Sequence, residues 1–147
     1  MIKSVRSAFE SNKIHIGMDE AYNVGLGKYR QLNDMKDRFD IINDHLHKVC
    51  EIGDKYGFEP MIWSDMFLKL AQDSEDQYAA IDSSKILEKA KLPENISLVY
   101  WNYYSTDYDI YANNIKSNKL FGRKVYFAGG GGKCAFPCRT ILFFCGI

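Results

Sequence analysis

The length and composition of the chain favour a single globular domain. The sequence has 147 residues, of which 46% are hydrophobic and 14% aromatic, enough to bury one core. Nineteen basic residues balance nineteen acidic ones. No net field would therefore attract nucleic acid or an anionic membrane, and we expect neither as a partner.

No stretch of the sequence has the pattern of an export signal or a membrane span. The first ten residues, MIKSVRSAFE, lack the apolar run of roughly 7 to 15 residues that a signal peptide needs. The longest apolar stretch, ILFFCGI at 141–147, is far shorter than the roughly 20 residues that cross a bilayer. These features predict a soluble protein of the cytoplasm.

The first predicted strand, IHIGMD at 14–19, ends on two adjacent carboxylates, Asp19 and Glu20. Apolar and polar residues alternate along it, which would place His15, Gly17 and Asp19 on one face.

An amphipathic helix is predicted after the glycine-containing segment that follows this strand. Asn33 or Asp34 is expected to cap its start, and Gly57 to end it. Its apolar residues recur at steps of three and four, the spacing of a helix with one buried face: Met35, Phe39, Ile42, Leu46, Val49 and Gly53.

The alternation of strands and helices then continues along the chain. A strand is predicted for EPMIWSDMF, 59–67, in which Met61, Trp63 and Asp65 would share a face, followed by a helix over 78–91 that ends before Pro93. The remaining elements are a strand over SLVYWNYYS, 97–105, a helix over 108–117 and a strand over RKVYFAGG, 123–130.

Four strands separated by helices imply right-handed crossover connections and a parallel sheet. Two sheet architectures fit this pattern, an open doubly wound sheet and an arc of a (β/α)8 barrel. Polar and aromatic residues follow the C-terminal ends of all four strands, which favours the barrel, because active sites gather at that rim. A complete barrel needs roughly 250 residues, so this chain would supply about half of one.

Asp19 and Glu20 are the candidate catalytic pair. Such a pair is also typical of a solvated loop or a helix N-terminus, but here it ends a strand and shares a face with His15. Two carboxylates held close together cannot both ionise at low cost, so one becomes usable as a general acid near neutral pH. Glycosidases divide their chemistry between two such groups.

The aromatic residues at the strand ends are candidates for sugar binding. Trp63, Trp101 and the neighbouring tyrosines would offer flat apolar faces to the C–H surface of a sugar or to an acetyl methyl group. Core packing is the ordinary role of any one of them. Their shared position at strand ends favours the binding role.

A metal site is not predicted, although Cys134, Cys138 and Cys145 crowd the last fourteen residues. Their spacings, three and six intervening residues, do not match the CxxC pairs of structural zinc sites. We expect free thiols, and neither a metal nor a cofactor.

The segment HIGMDE, 15–20, resembles the signature of glycoside hydrolase family 20, the β-N-acetylhexosaminidases. Four longer strings, HIGMDEAYNVGLGKY, PMIWSDMF, YWNYYS and FAGG, are similar to the exo-β-N-acetylglucosaminidase branch of that family and occur in the same order. The resemblance covers about Val5 to Gly130. It implies strands four to seven of a (β/α)8 TIM barrel, with residues 1–130 forming a partial catalytic domain and residues 131–147 a divergent tail.

The resemblance further implies hydrolysis of terminal β-linked N-acetylglucosamine or N-acetylgalactosamine with retention of configuration. In that family the 2-acetamido carbonyl of the substrate attacks its own anomeric carbon, so no protein nucleophile is required. Glu20 matches the general acid, which later activates water as a base. Asp19 matches the carboxylate that orients the acetamido N–H and stabilises its positive charge.

Four further positions match substrate-binding residues of the family. Trp63 and Trp101 match tryptophans that wall the acetamido pocket, and Tyr103 is the candidate for a hydroxyl contact to the acetamido oxygen. His15 matches the motif histidine, which is expected to brace the carboxylates through hydrogen bonds. Asn102 stands where the family has an aspartate.

The sequence departs from the family pattern at both ends of the matched region. The first three barrel strands are not matched, and after FAGG the expected tryptophans are replaced by Gly132 and Cys134. We therefore expect little or no turnover from this chain alone, and self-association through the open edges of a half barrel.

Two other functions fit the sequence. One is a non-catalytic half barrel that binds carbohydrate or pairs with another half. The other is an open-sheet hydrolase that uses Asp65, which would require a nucleophile or a metal that the sequence does not offer.

Overall fold

A computed structural model of the chain describes residues 1–33, 36–72, 88–89, 91–130 and 142–146. Within these residues the strands are β1 (Lys13–His15), β2 (Glu59–Trp63), β3 (Ser97–Asn102), β4 (Lys124–Gly130) and β5 (Leu142–Gly146). The helices there are α1 (Ile2–Ala8), α2 (Lys28–Leu32), α3 (Arg38–Lys55), α4 (Asp65–Gln72) and α5 (Tyr108–Lys119). None of the helices in this part of the chain combines the length and the apolar character of a membrane span.

The strands form one sheet in which β1 to β4 are all parallel. Their order in the sheet follows their order in the chain, and β5 adds to the far edge of β4 in the antiparallel direction. The predicted α/β architecture with a parallel sheet and intervening helices is therefore confirmed. The β5 strand was not predicted, and it pairs with the β4 edge that the half-barrel interpretation left open.

The parallel register gives the sheet two distinct faces. Ile62, Leu98 and Val125 are aligned on β2, β3 and β4 and are buried on the face that meets the helices. There Ile62 and Leu98 join the main hydrophobic cluster, which includes Leu46 of α3, and on β4 Phe127 contacts the ring of Tyr111 of α5.

The opposite face carries a second, smaller cluster. Val99 and Ala128 are fully buried there beside Tyr126, with Trp63 and Trp101 packed against them. Both α3 and α5 lie on the other side of the sheet, so this cluster is formed by the strands themselves.

The first strand is shorter than predicted, because β1 ends at His15 and not at Asp19. Gly17 and Met18 have φ values of +77° and +72°, which a strand cannot accommodate. The predicted alternation of His15, Gly17 and Asp19 along one strand face is therefore wrong beyond His15.

The predicted amphipathic helix is α3. Phe39, Ile42, Leu46 and Gly53 are buried as predicted, and Met35 lies outside the described residues. The predicted cap is wrong, because Asp37 is the N-cap and its side chain accepts the N–H of Phe39 at 2.8 Å.

Just beyond α3, Gly57 has a φ of +69°, as expected of a left-handed stop.

The second strand ends at Trp63, so the prediction that Asp65 shares a strand face with Met61 and Trp63 is wrong. The N–H and the hydroxyl of Ser64 both donate to the carbonyl of Val99, at 3.0 and 3.3 Å, and the carbonyl of Ser64 accepts the N–H of Leu68 as α4 begins. Asp65 then begins α4, whose residues Met66 and Phe67 are buried.

The third strand ends at Asn102, three residues earlier than predicted, because its side-chain oxygen accepts the N–H groups of Tyr104 and Ser105. The next helix, α5, begins at Tyr108 as predicted, with Asp107 as its N-cap. The helix predicted over 78–91 falls almost entirely outside the described residues.

The packing of α3 predicts that two similar substitutions in this helix have very different effects on the free energy of unfolding. Leu46 is 0% exposed and Ile52 is 46% exposed. We expect Leu46→Ala to lower the free energy of unfolding by about 2 to 5 kcal/mol, because it leaves a cavity in the main core. The matched control Ile52→Ala should change it by no more than about 0.5 kcal/mol. Equal urea midpoints for the two variants would contradict this placement of α3.

Candidate functional site

The candidate site lies where β1, β2 and β3 end, and it is built around a corner formed by residues 17–20. Gly17, Met18 and Glu20 all have positive φ, at +77°, +72° and +45°. Left-handed backbone is strained for Met and Glu, and such strain concentrates at functional sites. The 17–20 corner turns the chain away from the sheet directly after β1.

Backbone hydrogen bonds to β2 hold the start of this corner. The N–H of Ile16 donates to the carbonyl of Met61 at 2.9 Å, and the N–H of Trp63 donates to the carbonyl of Gly17 at 3.1 Å. The chain therefore leaves the sheet at Gly17, and the side chains of Asp19 and Glu20 are both exposed. Glu20 Oε1 accepts the hydroxyl of Tyr22 at 3.4 Å.

His15 is half-buried beneath the corner. Its ring centroid lies 4.4 Å from that of Trp63, and the planes are tilted by 50°. Nδ1 accepts the N–H of Gly17 at 3.1 Å, so the proton of the neutral ring is on Nε2. Among the described residues, the buried Nε2 has no hydrogen-bond partner. His15 thus braces the backbone of the corner, whereas hydrogen bonds to the carboxylates had been expected.

Burial lowers the pKa of His15 below its ordinary 6.5, and the charge of Asp19 opposes this effect. The neutral form that accepts the Gly17 N–H is therefore the favoured one near neutral pH.

Trp101 and Tyr103 form the aromatic side of the site. Both are half-buried, and their rings stack with centroids 5.4 Å apart and planes 29° apart. The register pairs Trp63 with Val99, two residues before Trp101, so the two tryptophans are neighbours on one face. The structure thus brings Trp63, Trp101 and Tyr103 to the same end of the sheet.

Asp65 connects the aromatic side to the corner. Its Oδ1 accepts the indole N–H of Trp101 and its Oδ2 accepts the backbone N–H of Glu20, both at 3.3 Å. Burial raises the pKa of Asp65 above its ordinary value, and these two hydrogen bonds and the charge of Lys69 oppose the rise. Asp65 was not among the predicted site residues. Its position near the C-terminal end of a predicted strand was the available signal, and the open-sheet alternative had used it.

A second contact reaches the corner from the same helix. Lys69 is only 7% exposed, and its ammonium group donates to the hydroxyl of Tyr22 at 3.3 Å and lies 4.9 Å from the centre of that ring. Tyr22 in turn donates to Glu20. Neither Lys69 nor Tyr22 was predicted to belong to the site.

Among the described residues, no group of three or more His, Cys, Asp or Glu side chains is arranged to hold a metal ion. Cys134 and Cys138 lie outside those residues. Comparison of the chain with models of known protein families finds no match, and comparison with curated proteins finds no significant match.

The protonation of His15 leads to a testable pH dependence. Because its pKa is lower in the folded state than the ordinary 6.5, the unfolded chain binds the proton more readily. The contribution to stability is complete above pH 6.5 and is lost as pH falls from there through the folded-state pKa. Between about pH 7.5 and about pH 5, we expect the urea midpoint of His15→Gln to fall less than the midpoint of the unsubstituted chain.

The matched control for this experiment is His45→Gln, which alters an exposed histidine and should retain the full fall in midpoint. An identical fall in the His15 and His45 variants would show that His15 is not protonated in this way.

Proposed function

We propose that the chain is a partial catalytic barrel of glycoside hydrolase family 20, built from strands four to seven. Its chemistry would be hydrolysis of terminal β-linked N-acetylhexosamine with retention, assisted by the acetamido group of the substrate. The 147-residue chain alone is expected to turn over weakly or not at all.

The arrangement of the sheet supports the barrel. In a doubly wound sheet the strand order reverses and helices cover both faces, whereas barrel strands follow one another with helices outside. Here β1 to β4 lie in chain order, and α3 and α5 lie on the same side.

A contact across the sheet face opposite α3 and α5 supports curvature of the sheet. Lys13 Nζ on β1 donates to the hydroxyl of Tyr126 on β4 at 2.9 Å. In a flat sheet two strands separated by two others would be about 14 Å apart. A concave face brings such side chains together more readily.

The observation that carries the proposal is the connection of the acidic corner to the aromatic residues. Glu20 is joined through its backbone N–H to Asp65, and Asp65 is joined to the indole of Trp101, which stacks on Tyr103. An acid for the glycosidic oxygen and an apolar wall for the acetamido methyl would thus lie at one rim.

Each residue would have a distinct role in the reaction. Glu20 is exposed and would protonate the leaving oxygen, then activate water as a base. Asp19 would orient the acetamido N–H and stabilise the positive charge that develops there. Trp63 and Trp101 would wall the acetamido pocket, and Tyr103 would contact the acetamido oxygen.

The structure describes four parallel strands, half the number in a complete barrel. Turnover is therefore expected to be weak. Contacts to the remaining sugar hydroxyls would have to come from elsewhere. Without them, binding energy that could be used in the transition state is missing.

Hydrolysis of a chromogenic β-N-acetylglucosaminide by the purified chain tests the proposal, with size-exclusion chromatography on the same sample. If chromophore is released, we expect Glu20→Gln to lower the rate by at least about 100-fold, because the general acid is lost. The control Glu10→Gln, at an exposed position outside the site, should leave the rate unchanged. Saturating hydrolysis in Glu20→Gln would overturn the assignment of the acid.

A non-catalytic carbohydrate-binding module is the second candidate. It is favoured by the half-buried, stacked Trp101 and Tyr103, which can bind a sugar without any acid. For such a module, titration with N-acetylglucosamine followed by tryptophan fluorescence should give the same affinity for Glu20→Gln as for the unsubstituted chain.

Trp101→Ala distinguishes stacking from adventitious binding. We expect it to weaken binding by roughly fivefold or more, since one aromatic contact contributes about 1 kcal/mol. Unchanged affinity would exclude Trp101 from the binding surface in both candidate functions.

A further inference from the structure

Two side chains of α4 interact with Glu20, Asp65 directly and Lys69 through Tyr22. Asp65 and Lys69 are four residues apart, one helical turn, and therefore lie on the same face of α4. Asp65 accepts the backbone N–H of Glu20, and Lys69 donates to the Tyr22 hydroxyl that in turn donates to the Glu20 carboxylate. One helix thus contacts both the backbone and, through Tyr22, the side chain of the predicted acid.

The corner needs such contacts because its conformation is unfavourable by itself. Glu20 has a φ of +45°, and its side chain is exposed. Left-handed non-glycine backbone persists only where the surrounding structure holds it. A carboxylate that accepts the N–H at this residue forms a charge-assisted hydrogen bond, which is stronger than a neutral one.

The partial burial of Asp65 is not needed for the stability of α4, because a carboxylate in the first turn stabilises a helix while it remains exposed. A buried carboxylate is expensive to desolvate, and an apolar side chain in the same place often stabilises a protein as well or better. Asp65 is half-buried, and both of its oxygens are used by the site, one by Glu20 and one by Trp101. The charge of Lys69, four residues away, offsets part of the cost.

We propose that Asp65 and Lys69 of α4 are positioning residues that set the place of Glu20 relative to Trp101. The inference rests on the proposed function for its catalytic meaning, but the positioning itself is a property of the folded chain. Asp65 fixes the distance between the backbone of the acid and the aromatic wall. Lys69 orients the carboxylate of Glu20 through Tyr22.

Nuclear magnetic resonance tests the Asp65 contacts directly, because the chain has only two tryptophans. The indole N–H region should contain two cross-peaks, which Trp63→Phe assigns. We expect Asp65→Asn to shift the Trp101 indole cross-peak and to accelerate hydrogen exchange at the Glu20 amide by about tenfold or more. The control Asp109→Asn, at an exposed position in the first turn of α5, should change neither.

A pH titration separates positioning from a general loss of structure. In the unsubstituted chain the Trp101 indole cross-peak should move with a midpoint above 3.8, the ordinary pKa of Asp65. That movement should disappear in Asp65→Asn, while the cross-peak of Trp63, whose ring lies against His15, should move as it does in the unsubstituted chain. If Asp65→Asn fails to fold, the titration of the unsubstituted chain decides, since a Trp101 indole that does not respond to pH overturns the contact.

The Lys69 arm is tested by Lys69→Met, with Lys116→Met on the exposed side of α5 as the control. We expect Lys69→Met and Tyr22→Phe each to shift the Glu20 side-chain carboxyl resonance, because either change breaks the chain of hydrogen bonds from Lys69 to that carboxylate. Equal resonances in Lys69→Met and Lys116→Met would overturn the role of Lys69.

Failure of the proposed function is distinguishable from failure of this inference. If the unsubstituted chain neither hydrolyses nor binds N-acetylglucosaminides, the function is wrong, and the resonance and exchange results still decide the positioning. If Asp65→Asn leaves the Glu20 amide and the Trp101 indole as they are in Asp109→Asn, the positioning is wrong even in an active chain.

Discussion

Parallel pairing of β1, β2 and β3 is the constraint on which the candidate site depends. The register aligns His15 with Met61 and Trp63 with Val99, so the three strands end at the same side of the sheet. Segments that are far apart in sequence therefore meet there. Antiparallel pairing would have sent alternate strand ends to opposite sides, and Trp63 and Asp65 at the end of β2 would have been separated from the acidic corner.

Left-handed non-glycine backbone and a partly buried carboxylate occur together at this rim. On the helix side of the sheet, the main cluster is formed by apolar side chains such as Leu46 and Ile62. At the rim, Met18 and Glu20 hold left-handed backbone, which costs roughly 1 to 2 kcal/mol each. His15 Nε2 is buried and has no hydrogen-bond partner among the described residues, and burial raises the pKa of Asp65. Departures from the most stable arrangement are expected at functional sites.

The sequence predicted the strands and α3 because their periodicity is a local property. The apolar stripe that includes Phe39, Ile42 and Leu46 is buried as its spacing required. Strand ends were predicted less well, because side-chain hydrogen bonds determine them. Ser64, the residue after β2, donates its hydroxyl to a carbonyl on β3, a partner that no local pattern reveals. Alternation in PMIWSDMF fits a strand equally well, so the start of α4 at Asp65 was missed.

At the candidate site too, features local in the sequence could be predicted and contacts between distant residues could not. Asp19, Glu20, Trp63 and Trp101 were chosen as candidates because they lie at or just after the ends of predicted strands. Their proposed joint role rests on the resemblance of whole motifs. The contacts of Asp65 could not be predicted, since they join residues 45 and 36 positions apart through side-chain geometry. The strand β5 was missed because the apolar run that contains it gave no indication of a partner.

The face opposite the helices differs between its two ends. At the end where the strands begin, Lys13 and Lys124 place ammonium groups about 5 Å from the centre of the Tyr126 ring. At the end where they finish, Trp63 and Trp101 lie beside the 17–20 corner. In a complete barrel this face would be filled by side chains from four more strands. The lysines keep one end of this face polar, so the apolar ring surfaces of Trp63 and Trp101 lie at the other end, beside the 17–20 corner.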